Sequence, residues 1–400
     1  MSETYSVALR VTAIDDTTAV FGSISRSLGG LERGAASASA RIAGIGRLLS
    51  GLAVGSIGIG LAGMFKGPID SAIKYENALN RFRQLNLGGL IDRDADALAK
   101  HAGVFGANAT QMMNTVRDLT SVFGSFHEAQ RLAPKIAALN AANAGIFGEG
   151  HGIDEKASLD LMRVIDRRGG AKDATTFTHT VDLVQKMMNA TGGVVDMRAL
   201  AQFSQYGGTA FRALSDEGLL DMTGLLVEQG GMRAGTALMS AFQNLEAGRG
   251  SLKAKAIMAE LGLGTLAEKV IGHVGSKPIK SRELMHIKGA DELRASPVGW
   301  VRDVLLPQLK ARHLITGRVE DGERDTGVIL KTINDIASNR LASTQLGIIA
   351  TQLPQLLRDA AIARNAKGAD AMVADYRAST QGQWDALRAS LADLGIVVGQ

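Results

Sequence analysis

Downstream of Thr17, apolar side chains recur in steps of three and four: Val20, Ile24, Leu28, Leu31, Ala35, Ala38, Ile42, Ile45, Leu49 and Leu52. A step averaging about 3.5 residues keeps one narrow apolar line on the same side of a supercoiled helix, so this stretch predicts a helix that lies along another helix. Gly29 and Gly30 each weaken that helix by about 1 kcal/mol, and the alanines pack thinly. The spacing still fits a self-associating coil better than a helix packed only within its own fold. Upstream, Tyr5, Val7, Leu9 and Val11 alternate with Ser6, Arg10 and Thr12, which predicts one short half-buried strand. Asp15 and Asp16 end that alternation, and Asp16 or Thr17 can cap the helix that follows.

The seam runs into an uncharged stretch that begins at Leu48 and ends at Phe65, between Arg47 and Lys66. Its length suffices to cross a bilayer if helical. Five glycines, among them Gly51 and Gly55, make it only weakly apolar. Those two, with Ile59 further on, instead give the small-residue spacing of closely packed helices. A tight helix pair inside an assembly is the preferred reading, and a membrane span the other. Gly67-Pro68 is expected to end the segment, since proline lacks the amide a helix needs.

From 69 to 265 the chain reads as a helical domain of short amphipathic helices. Phe177, Val181, Val184 and Met188 form one stripe, and Ala234, Leu238, Phe242 and Leu245 another. Gly88-Gly89, Gly169-Gly170, Gly192-Gly193, Gly207-Gly208 and Gly230-Gly231 fall where the helical patterns stop. Residues 266–296 read as a basic loop carrying Lys269, Lys277, Lys280, Arg282 and Lys288, more plausibly solvated than bound to DNA phosphates. From 297 to 400 helix resumes, with Ser296 as cap and Pro297 in the first turn, and Pro307 is expected to kink or end it. Two further helices carry Ile329, Ile333 and Ile336, and then Trp384, Leu387, Leu391 and Leu394. The last set steps three, four, three, and the apolar run 394–398 just before Gln400 reads as an interior stretch and not a finished end. The fold class is therefore mainly α: a short N-terminal strand, a long coiled-coil-like helix over 1–68, a multi-helix domain and further helices.

Composition narrows the chemistry. Hydrophobic residues make up 46% of the chain but aromatics only 4%, so the core is built from small side chains that favour close helix contacts over a deep pocket. A net charge of +4 is too small at this length to define a nucleic-acid surface. With no cysteine there are no disulfides and no thiol nucleophile, which fits folding in a reducing compartment. The start has no secretory-signal pattern. The histidines stand singly between His101 and His313, without metal-ligand spacing, and neither a GxSxG elbow nor a phosphate loop of the GxxxxGK[ST] kind occurs. A GxGxxG string at Gly58, Gly60 and Gly63 lies in the uncharged run, the wrong context for a dinucleotide turn. Gly148, Gly150, His151, Gly152, Asp154 and Glu155 read as a flexible turn before a metal loop. No catalytic residue, cofactor or metal is expected.

The order of these features resembles the tape measure proteins of tailed bacteriophages, particularly the version in Mu-like transposable phages. The resemblance covers most of the chain. It rests on SAIKYENALNRFRQL from Ser71, on GVFGANATQMMNTVRDLTSVFG, and most specifically on GGMRAGTALMSAFQNL, which opens with Gly230, Gly231, Arg233, Ala234, Gly235 and Thr236. SPVGWVRDVLLPQLKA, SNRLASTQLGIIATQLPQL with Asn339 and Arg340, and QWDALRASLADLG follow in the family's order. Such a resemblance implies a non-enzymatic ruler and scaffold in the lumen of the tail tube, made in the host cytoplasm and ejected ahead of DNA. It implies several copies, with a trimer among the arrangements, and contacts with tube and baseplate proteins, tail assembly chaperones and the host inner membrane. The family continues into a long helical, apolar region that these 400 residues lack. The competing readings are a membrane-inserting pore-forming toxin or effector, with 48–65 as its inserting helix, and a peptidoglycan hydrolase, for which the needed residues are not visible.

Overall fold

Helices in this chain start where a short polar side chain can accept from the free amides of the first turn. The computed structural model describes residues 58–148 and 155–399, and the fold is mainly α. Its elements begin with α1 (Gly58–Arg83), α2 (Gly89–His101), α3 (Ala109–Phe123), α4 (Phe126–Phe147) and α5 (Glu155–Arg167). Asn108 opens α3 with a capping box, accepting from the Gln111 amide at 3.0 Å while the Gln111 side chain accepts from the Asn108 amide at 2.9 Å. Aspartates cap the next two helices, Asp173 for α6 (Ala174–Ala190) and Asp196 for α7 (Met197–Ala213). Then come α8 (Asp216–Asp221), α9 (Thr223–Leu245) and α10 (Leu252–Glu260), an antiparallel hairpin of β1 (Thr265–Val274) and β2 (Lys277–Met285), α11 (Ala290–Ala295) and α12 (Pro297–Trp300). A π-helical segment, Val301–Leu305, leads into α13 (Leu306–Ala311), after which follow α14 (Gly322–Ile336), α15 (Arg340–Thr351), α16 (Leu353–Asn365), α17 (Ala369–Ala378) and α18 (Thr380–Gly399).

One apolar core runs through residues 66–400. Tyr75 and Phe82 of α1 enter it from one side, the α6 stripe of Phe177, Val181, Val184 and Met188 is fully buried, and Ile333 and Ile336 of α14 close the other side. The hub is α9, which packs on α7, α15 and α16 and buries Ala234, Leu238 and Leu245, with Phe242 half-buried. Each large side chain so buried contributes about 1.5–3 kcal/mol of transfer free energy.

Three expectations need correction. Helix α1 runs through Gly67-Pro68 and does not stop there. Proline removes one backbone bond but fits helical φ, and the inward face of Tyr75, Ala78, Leu79 and Phe82 outweighs that loss. Pro307 neither ends nor breaks its helix: the preceding turn widens to π form, with the Leu306 amide donating to the Val301 carbonyl, and Ser296 and Pro297 start the run as expected. The basic segment 266–296 is not a loop but mostly a two-stranded hairpin, turning at Gly275-Ser276 with Gly275 at φ 61°. Three helices, α15, α16 and α17, also stand between the two that the apolar spacing marks out after residue 311. The expected strand over 5–13, the seam over 20–52 with Val20, Ile24, Leu28, Leu31, Ile42, Ile45, Leu49 and Leu52, and Leu48, Gly51 and Gly55 lie outside the described residues.

Candidate functional site

The string GGMRAGT folds into a helix crossing. Gly230 takes φ 72° and ψ 165°, a conformation that breaks the helical path inside α9, and the two glycines that follow at a four-residue spacing face α7. A Cβ on Gly231 would lie 1.8 Å from the Ala199 carbonyl oxygen, and one on Gly235 would lie 2.7 Å from that of Phe203 and 2.9 Å from the Gly207 amide nitrogen. Only hydrogen fits at these points, so the pair sets how closely α9 approaches α7. Ala234 is buried between them in sequence, whereas Arg233 is exposed and Thr236 donates to the Met232 carbonyl at 2.8 Å. The second motif caps α15: the Asn339 side chain accepts from the amides of Leu341 and Ala342 at 2.9 and 3.4 Å, while Arg340 is exposed. Because α15 packs on α9, the two motifs lie on neighbouring helices, where they serve packing and capping.

Helix α18 carries the surface that packing leaves open. Its inner face buries Ala389 and Ile396, and the Asp393 carboxylate accepts from the Ala109 amide at 2.7 Å. Burial pushes the Asp393 carboxyl above its ordinary range, partly offset by that amide. Nearby, the Tyr376 hydroxyl donates to Asp385 at 3.0 Å, and burial, then the Asp385 carboxylate, push the phenol up. On the opposite face Trp384, Leu387, Leu391 and Leu394 are 51%, 45%, 55% and 53% exposed. Four large apolar side chains, half in water and in one line, are unusual for a helix whose other face is packed.

Of the remaining candidates, Ile59 and Phe65 fall in α1, and Gly58, Gly60 and Gly63 lie within that helix and not in a turn before it. The glycine turn around His151 lies outside the described residues. Among the described residues no group of three or more histidines, aspartates or glutamates is placed to hold a metal ion, and no helix is long and apolar enough to cross a membrane. In the hairpin, Lys277 and Arg282 are exposed, with Arg282 opposite Glu268 in the register.

Sequence reasoning reads Gly230-Gly231 as punctuation and misses the close approach made by Gly231 and Gly235, although their four-residue spacing is the available signal. Comparison of the chain with protein-family models, with curated proteins and with solved structures finds no match.

Proposed function

We propose that this chain is the N-terminal part of a phage tail tape measure protein: a non-enzymatic helical scaffold that lies in the tail tube lumen, sets tail length and leaves ahead of DNA. The observation that carries the reading is the heptad-spaced apolar line on α18, exposed on a helix whose inner face is already packed. A line of that spacing is matched to a helix running alongside, as extended multi-copy scaffolds require. The proposal includes the strand over 5–13 and the coiled-coil-like helix seamed by 20–52, which would bring copies together at their N-terminal ends. It also includes contacts with tube, baseplate and chaperone proteins and entry of 48–65 into the host inner membrane.

A ruler made of helix has a linear scale, since each residue adds about 1.5 Å. The test is to remove whole heptads from the full-length gene and measure tails by electron microscopy. The expected shortening is about 10 Å per seven helical residues removed. Tails of unchanged length would refute the ruler, and leakage of liposomes caused by the isolated chain would favour the pore-forming alternative.

A further inference from the structure

A cleft of about 570 Å³ opens between the end of α5, the turn that follows it and the C-terminal half of α7. Its walls bring together Arg167, Lys172 and Arg212, which come from three separate pieces of chain, with the hydroxyls of Ser204 and Thr209 and the side-chain amide of Gln205. Asp166 is the one acid in the lining. The Lys172 stem folds back over the turn, its Cε 3.7 Å from where a Cβ on Gly169 would stand.

The half-buried arginines among the described residues are Arg117, Arg167, Arg168 and Arg364. Arg117 is paired with Asp118, Arg168 with Asp216, and Arg364 with Asp221 and Glu217. Arg167 differs from all of these. Its guanidinium donates to the Ser204 hydroxyl at 2.7 Å and to the Ala201 carbonyl at 3.5 Å, both neutral oxygens. The hydroxyl that holds it belongs to a side chain with no exposed surface, so the guanidinium is fixed at the wall of the cleft. A charge withdrawn from water without a counter-charge is costly, and a bound anion relieves that cost.

We propose that this cleft binds a phosphorylated small molecule, its phosphoryl oxygens gripped by Arg167, Lys172 and Arg212. A phosphoryl group carries more than one charge and accepts from several directions, which suits a planar fork and two flexible cations converging from different elements. The volume falls in the range of small-molecule sites and leaves room beside the phosphate for the group it esterifies. The site is independent of the scaffold role, because it faces the α5–α7 junction and does not involve the α18 stripe.

The experiment is calorimetric titration of the 400-residue chain with inorganic pyrophosphate and, in a second arm, with adenosine diphosphate. One-to-one binding is expected, weakened roughly tenfold or more by Lys172→Ala or Arg212→Ala and lost when both are changed. Arg93→Ala, an exposed arginine on α2 that does not line the cleft, is expected to leave affinity unchanged. Tighter binding of the nucleotide than of pyrophosphate would support an ester ligand, and equal binding would support recognition of the phosphoryl group alone. No saturable heat with either probe would overturn the proposal. An equal loss on Arg93→Ala would do so too, because diffuse surface charge would then account for the binding. Lys172 and Arg212 are exposed, so their variants fold, and thermal melts of each confirm it.

Discussion

Helices α9 and α18 carry the same kind of apolar spacing and end in opposite situations. In α9 the stripe through Ala234, Leu238 and Leu245 is sealed against α7, α15 and α16, and glycines draw the neighbouring backbone into contact. In α18 the line through Trp384, Leu387, Leu391 and Leu394 faces water, while smaller residues such as Ala389 make the inward contacts. Spacing thus reports that a helix has an apolar face but says nothing of whether its own chain covers that face. Covered stripes are matched by glycine or alanine on the partner, whereas the stripe on α18 is built of side chains too large for so close an approach.

The comparison breaks most easily at the glycine crossing. Gly231→Val should cost about 3 kcal/mol or more, because its first side-chain carbon meets the Ala199 carbonyl, which cannot step aside without moving α7. Urea unfolding would read this as a large fall in midpoint or as failure to fold, and an unchanged midpoint would mean that the two helices do not approach as described. Leu238→Ala, in the sealed stripe, should cost about 2–5 kcal/mol by the same measurement. Asn339→Ala removes the cap of α15 beside α9 and should cost about 1 kcal/mol.

Smaller effects sharpen the other side of the contrast. Burial raises the Asp393 carboxyl in the folded state above its unfolded value, so the folded chain binds that proton more tightly and loses stability as pH rises through this window. Asp393→Asn keeps an acceptor for the Ala109 amide and removes the ionisation. A slightly higher melting temperature is expected at neutral pH, with no difference in acid below both values, and a lower one at neutral pH would contradict the assigned direction. Leu391→Lys should change stability by less than about 0.5 kcal/mol, since Leu391 is 55% exposed. If copies meet along this stripe, sedimentation should show that the variant associates less than the unaltered chain, and equal association would place the contact elsewhere.

Much of the helical fold is legible in the residues. The stripe Phe177, Val181, Val184 and Met188 is buried as its spacing demands, and Ser296 with Pro297 begins a helix where cap and ring geometry allow. What escapes the sequence is decided by tertiary contacts or by a change of parity. Pro68 looks like a stop because its local cost is visible and the packing of Tyr75 and Phe82 is not. The hairpin hides because a bulge between Val270 and Gly272 shifts the alternation by one residue, so its apolar positions fit no single period. Gly275-Ser276 between two β-branched runs is the signal that remained available. The α18 line is legible as spacing but not as a water-facing surface. The cleft residues Arg167, Lys172 and Arg212 are far apart in the chain, and no local pattern joins them.

The widened turn at Val301–Leu305 has an effect beyond admitting Pro307. A π turn stores one residue more than the same length of ordinary helix, and so acts as a phase adjuster between what comes before and after it. Trp300 and Val301 upstream and Leu305 and Leu309 downstream all point inward with that residue present. Deleting it would restore regular winding and swing the downstream half by about 100°, carrying Leu309 out of the core without altering any side chain.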